Sequence, residues 1–154
     1  MVGHSFELIR ASLKNPLPWR ISVTAYLAGL ALVGFWPTPV DRPILGTLSA
    51  ALKYLHGLGV PGWVNYHLVE YSANVAMFIP LGILAAIALP TKSWWSLAVM
   101  GMMASLFVEL GQLMFTPTRF TSLGDIVTNT CGAAIGITSA RVVARISATK
   151  LQKA

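Results

Sequence analysis

Residues 93–115 read SWWSLAVMGMMASLFVELGQLMF, an apolar run bounded by Lys92 and Pro117 in which Glu109 carries the only charge. A helix needs about 20 apolar residues to cross the hydrocarbon core of a bilayer, so this run is long enough to span it. Working outward, three more windows of this kind appear. One covers about Ile21 to Trp36 and stops at Pro37 and Pro39, one covers about Tyr66 to Leu89 and ends before Pro90, and one runs from about Ser122 to Val143. Composition agrees: the 154 residues are 55% hydrophobic and 10% charged, where a soluble domain carries about 25% charged residues. The reading is an all-α membrane protein, a four-transmembrane-helix bundle.

A net charge of +6 could point to nucleic acid. The Lys and Arg residues, however, stand in clusters between the apolar runs and line no single face, so no nucleic-acid partner is expected. Eight of the eleven fall on one side, namely Arg10, Lys14, Arg20, Lys92, Arg141, Arg145, Lys150 and Lys153, against Arg42, Lys53 and Arg119 on the other. The positive-inside rule then puts both termini in the cytoplasm. Trp19, Trp94 and Trp95 fall at cytoplasmic ends and Phe35, Trp36, Trp63, Tyr66, Phe115 and Phe120 at outer ends, as aromatic belts do. No small-x-small cleavage site follows the first apolar run closely, so that run is read as a retained helix. The expected division is a cytoplasmic amphipathic segment over 1–20, a four-helix transmembrane domain over 21–146 and a basic cytoplasmic tail over 147–154.

In the first outer loop, Leu45, Leu48, Leu52 and Leu55 recur at helical spacing while Lys53 and His56 fall off the stripe. This pattern predicts an interfacial amphipathic helix, closed by Gly57, Gly59, Pro61 and Gly62. Cys131, the single cysteine, excludes an intrachain disulfide framework and a Cys-based zinc site. His67 and Glu70 at i, i+3 have no second histidine beside them, so no metal and no other cofactor is expected.

Only five acids occur, Glu7, Asp41, Glu70, Glu109 and Asp125, and three of these lie within or at the ends of spans. Carboxylates are costly in hydrocarbon and usually face a bundle interior or a wet cavity, which makes each a site candidate. Glu70 with Asn74, Glu109 with Gln112, and Asp125 with Asn129 are spaced i, i+4, i, i+3 and i, i+4, so each pair shares a helix face. With Arg119 in the connecting loop, three helices are expected to present an acid and a carboxamide at one outer depth, under a guanidinium. Gly132 and Gly136, and Gly101 with Ser105, give small-x-x-x-small spacing that allows close contact between these helices, and Gly132 and Gly136 also offer a surface for a homo-oligomer. The same polar groups could instead serve as hydrogen-bonding glue between helices.

The stretches EYSANVAMFIPLG (70–82), VELGQ (108–112), Arg119 and SLGDIVTNTCGA (122–133) resemble the VanZ-like family. The resemblance spans about residues 30–138 and rests on N-x-x-x-F-I-P-L-G, E-x-x-Q and D-x-x-x-N-x-x-G in this order. It implies a small multi-pass protein of the bacterial cell (inner) membrane, in a family named for a member associated with low-level teicoplanin resistance. It also carries the family's polar pattern onto Asn74, Glu109, Gln112, Arg119, Asp125 and Asn129. Glu70 and the first loop are not covered by that pattern.

Three functional classes follow. In the first, an outer-leaflet polar cavity binds an amphiphilic cell-envelope ligand, a lipid-linked cell-wall precursor, a membrane lipid or a lipoglycopeptide. Arg119 would pair with phosphate or carboxylate, and Glu70, Asn74, Gln112 and Asn129 would bind the headgroup. In the second, an intramembrane enzyme modifies such a lipid, with Glu109 as base, Asp125 as its partner and Arg119 as clamp. No nucleophile motif accompanies them. In the third, a small dimeric transporter operates, although its site would be expected nearer the midplane.

Overall fold

The computed structural model describes residues 15–35, 42–115 and 122–152. Arg119, Asp41 and the segment 1–14 lie outside these. Helix α1 is Pro16–Gly34, a 3₁₀ turn covers Arg42–Ile44, and α2 is Leu45–Gly57. Helices α3, α4 and α5 are Tyr66–Ala88, Trp94–Phe115 and Leu123–Gln152. The protein is all-helical, and α1, α3, α4 and α5 are long and apolar enough to cross a membrane, which marks a multi-pass membrane protein.

The helix boundaries have local causes. Asn15 Oδ1 accepts from the Leu17 N–H at 3.1 Å and Pro16 opens α1, a position where its missing N–H costs nothing. The first helix therefore starts before Ile21 and takes in Trp19 and Arg20. Asn65 caps α3 in the same way through the Leu68 N–H at 3.2 Å. At the other end of the chain, α5 runs past Val143 and through Arg145 and Lys150 to Gln152. Nothing between Val143 and Gln152 breaks a helix, so Arg145 and Lys150 lie on a helix continuous with the last span. The predicted loop helix forms over the expected leucines, and Gly59, at φ 92°, makes the left-handed turn that follows it.

The bundle packs through small residues and leaves its large ones outside. Leu97 and Ile137, with Ala85 and Ala98, form one core cluster, while Phe78, Leu81 and Ala133 form a second. Meanwhile Phe107, Leu113, Met114 and Leu123 are exposed, Met114 and Leu123 to 75% and 82%. In water this would be a severe liability; in lipid it is the expected surface. Several helix hydroxyls bond within their own helix: Ser72, Thr128, Thr130 and Thr138 each donate to the carbonyl four residues back.

The closest helix pair is α3 with α5. A Cβ on Gly132 would land on the Val75 carbonyl oxygen, one on Gly136 on the Ile79 carbonyl oxygen, and one on Gly82 on the Ala133 carbonyl oxygen. The close helix contact expected of Gly132 and Gly136 is made with α3 of the same chain. Gly101 in turn brings α4 onto Ala133. At the basic end, Arg141 Nη2 donates to the Lys92 carbonyl at 2.6 Å and Trp94 Nε1 donates to Thr138 Oγ1 at 3.1 Å. These bonds tie the α3–α4 turn to α5.

The charge asymmetry makes a topology prediction. In a Cys131→Ser background, Ser49→Cys in α2 should react with a membrane-impermeant maleimide in intact cells, and Thr149→Cys only after lysis. Labelling of Thr149→Cys in intact cells would reverse the assignment.

Candidate functional site

The end of the bundle opposite Trp94 and Arg141 gathers the C-terminus of α1, the first turns of α3 and α5, and the last turns of α4. The alternation of spans produces this gathering: α1 and α4 finish where α3 and α5 begin, as the contacts of Gly34 with Gln112 and of Asn74 with Asp125 record. All three acids of the spans therefore reach one end.

Two of the three enter one network. Asn74 Nδ2 on α3 donates to Asp125 Oδ1 on α5 at 2.9 Å. Glu109 on α4, only 3% exposed, accepts the Ser122 N–H through Oε2 at 3.1 Å. Ser122 also receives the Asp125 N–H on its carbonyl at 3.1 Å, so this residue at the start of α5 links the Glu109 carboxylate to the backbone that carries Asp125. One turn deeper, Asn129 Nδ2 donates to Ser105 Oγ at 3.0 Å, between α5 and α4. Both side chains are buried, Ser105 to 0% and Asn129 to 5% exposure.

Two expected members stand apart. Gln112 is buried but turned toward α1, where its Nε2 donates to the Gly34 carbonyl at 3.1 Å. That carbonyl belongs to the last turn of α1, which has no helical donor for it, so Gln112 anchors the end of the first span. Glu70 turns outward to His67, with Oε2 and Nδ1 3.4 Å apart and both side chains open to solvent. Among the described residues no third His, Cys, Asp or Glu joins this pair in a group that could hold a metal. The position of Arg119 lies outside the described residues.

The sequence reading missed three partners. Ser105 was read only as a small residue, although it sits one turn from Glu109 and shares its face. The Ser122 amide is a backbone donor, invisible to any inspection of side chains. Tyr71 lies against Gly124, where an added Cβ would come 2.6 Å from its hydroxyl, so the start of α5 is seated on an aromatic of α3.

The arrangement presents two carboxylates, two carboxamides and a hydroxyl from three helices within about two turns. Such a cluster can receive hydrogen-bond donors from a headgroup, and it also holds the helices together. Two surface hollows on the described residues, one along α5 lined by Ala134, Thr138 and Val142 and one along α1 lined by Arg20, Thr24 and Ala28, lie away from it.

No curated protein and no solved structure matches the chain. The model of the VanZ/LLP1 family matches residues 23–144, a range that takes in most of α1 and α5, all of α3 and α4, and every residue of the polar network; the chain belongs to the VanZ-like family.

Proposed function

We propose that the acid-and-carboxamide end binds the headgroup of an amphiphilic cell-envelope ligand from the outer leaflet of the bacterial inner membrane. The observation that carries this reading is Glu109, an acid at 3% exposure in a membrane span, grouped with Asp125, Asn74, Asn129 and Ser105. Ionisable groups within a membrane span are costly and tend to mark ligand or ion pathways. The distribution of Lys and Arg supports an outward-facing site, and Arg119, in the α4–α5 connection, is the cation available to a phosphate or carboxylate. The teicoplanin association that the resemblance brings makes lipid-linked wall precursors and lipoglycopeptides natural ligands to try. Low-level glycopeptide resistance would then follow from sequestering either one.

A second reading has its own observation. Asn74, Gln112, Glu109 and Asn129 each bond another segment of the chain, which is what helix-to-helix glue does. Thermal unfolding separates the two. Bacterial lipid extract should raise the Tm of the purified protein by a few degrees, the size expected for a ligand well above its Kd. Arg119→Ala should remove most of that gain and Lys53→Ala should not. Equal effects of the two substitutions, or no gain in the unsubstituted protein, would favour glue alone.

A further inference from the structure

Asn129 Oδ1 is a buried polar atom with no hydrogen-bond partner. The other end of the same amide is occupied, since Nδ2 donates to Ser105 Oγ. Turning the amide over does not cure the deficit: Oδ1 would then accept from the Ser105 hydroxyl and Nδ2 would be left alone. Folded proteins rarely leave such an atom unpaired without a water, an ion or a ligand to complete it.

Its place in the bundle gives the atom a meaning. Asn129 is one turn below Asp125 on α5 and Ser105 is one turn below Glu109 on α4, so the pair forms the floor beneath the acid layer. The other two carboxamides expected at this end are committed elsewhere, Asn74 to Asp125 and Gln112 to the Gly34 carbonyl. Among the described residues Asn129 is the carboxamide whose buried oxygen lacks a partner, and it stands at the deepest polar position of the network.

We infer that Asn129 is the specificity-determining contact of the proposed headgroup site, and that its amide bonds a hydroxyl of the ligand. The inference rests on the headgroup-binding reading and narrows its chemistry. Nδ2 is held by Ser105 Oγ and Oδ1 is the open atom, so the group the amide takes is a hydrogen-bond donor, which a hydroxyl supplies. A phosphodiester only accepts and an ammonium only donates. The site thus selects a headgroup that carries a donor, such as a glycerol or sugar hydroxyl, over one that offers acceptors alone.

The test uses the full chain in phosphatidylcholine nanodiscs, whose headgroup carries no hydrogen-bond donor. Phosphatidylglycerol and phosphatidylmethanol are added in parallel; both are anionic phosphodiesters, and only the first has headgroup hydroxyls. The protein should gain more Tm from phosphatidylglycerol, with an apparent affinity roughly tenfold higher, the worth of one buried hydrogen bond. In Asn129→Leu/Ser105→Ala the two lipids should become equivalent. Replacing both polar partners by apolar groups of similar shape leaves no new unsatisfied atom, so lipid-free Tm should stay close to that of the parent. Asn129→Ala alone serves the same comparison if the double variant does not express. Equal responses of the parent protein to both lipids, or a preference that survives in the variants, would overturn the inference and assign the amide to a trapped water. Absence of any response to either lipid or to bacterial lipid extract would remove the headgroup-binding reading itself.

Discussion

Gly136→Ala should destabilise the protein by about 3 kcal/mol or more, the upper end of the cost of overpacking a close contact. The new methyl would land on the Ile79 carbonyl oxygen with the Ile83 amide nitrogen 2.9 Å away. Both obstacles are backbone, so no rotamer change relieves the clash and the two helices must separate. Separation would loosen the Gly132–Val75 and Gly82–Ala133 approaches along the same seam. Gly29→Ala and Gly46→Ala are the controls, since nothing lies within 4 Å of the added Cβ at either position. Those two should be neutral or slightly stabilising, because alanine is the better helix former. Thermal unfolding in one detergent compares all three, and a silent Gly136→Ala would contradict the packing of α3 against α5.

Glu109→Leu should cost about 2–3 kcal/mol, whereas Glu109→Gln should stay within about 1 kcal/mol of the parent. Leucine fills the volume and leaves the Ser122 N–H without its acceptor, and an unsatisfied buried donor carries a penalty of about 1–3 kcal/mol. Glutamine keeps an oxygen in the same place and loses only the carboxylate. The pair of substitutions thus divides what Glu109 does for the fold from what its acid does for a ligand. Similar losses for both would mean that the fold depends on the charge.

The fold was readable from the sequence where solvent decides the outcome. A run such as 93–115, with one charge in it, has no place in water, and Pro37, Pro90 and Pro117 mark where helices or their caps must end. The leucine stripe of α2 was legible for the same reason. The apolar run that ends near Val143 did not show how far the helix continues, because charge stops a span whereas only a breaker or a missing hydrogen bond stops a helix. Periodicity also places residues on faces without saying which helix each face meets. Asp125 and Asn129, four residues apart, turn out to bond different neighbours, α3 and α4. Glu70 was expected to join Asn74 on one face, but near a helix end His67 draws it outward. The glycines of α5 were read as a close helix approach, and spacing alone did not say that α3 would be the helix they meet.

The most direct test of a headgroup site at the acid end is native mass spectrometry of the protein and of Glu109→Gln, each released from bacterial membranes. The parent should carry one envelope lipid above its share of the membrane, unaltered in mass, and Glu109→Gln, folded equally well, should carry roughly tenfold less of it, the loss expected for one charge-assisted hydrogen bond. Bulk lipid proportions in both would contradict the account and leave the polar network as helix-to-helix bonding alone.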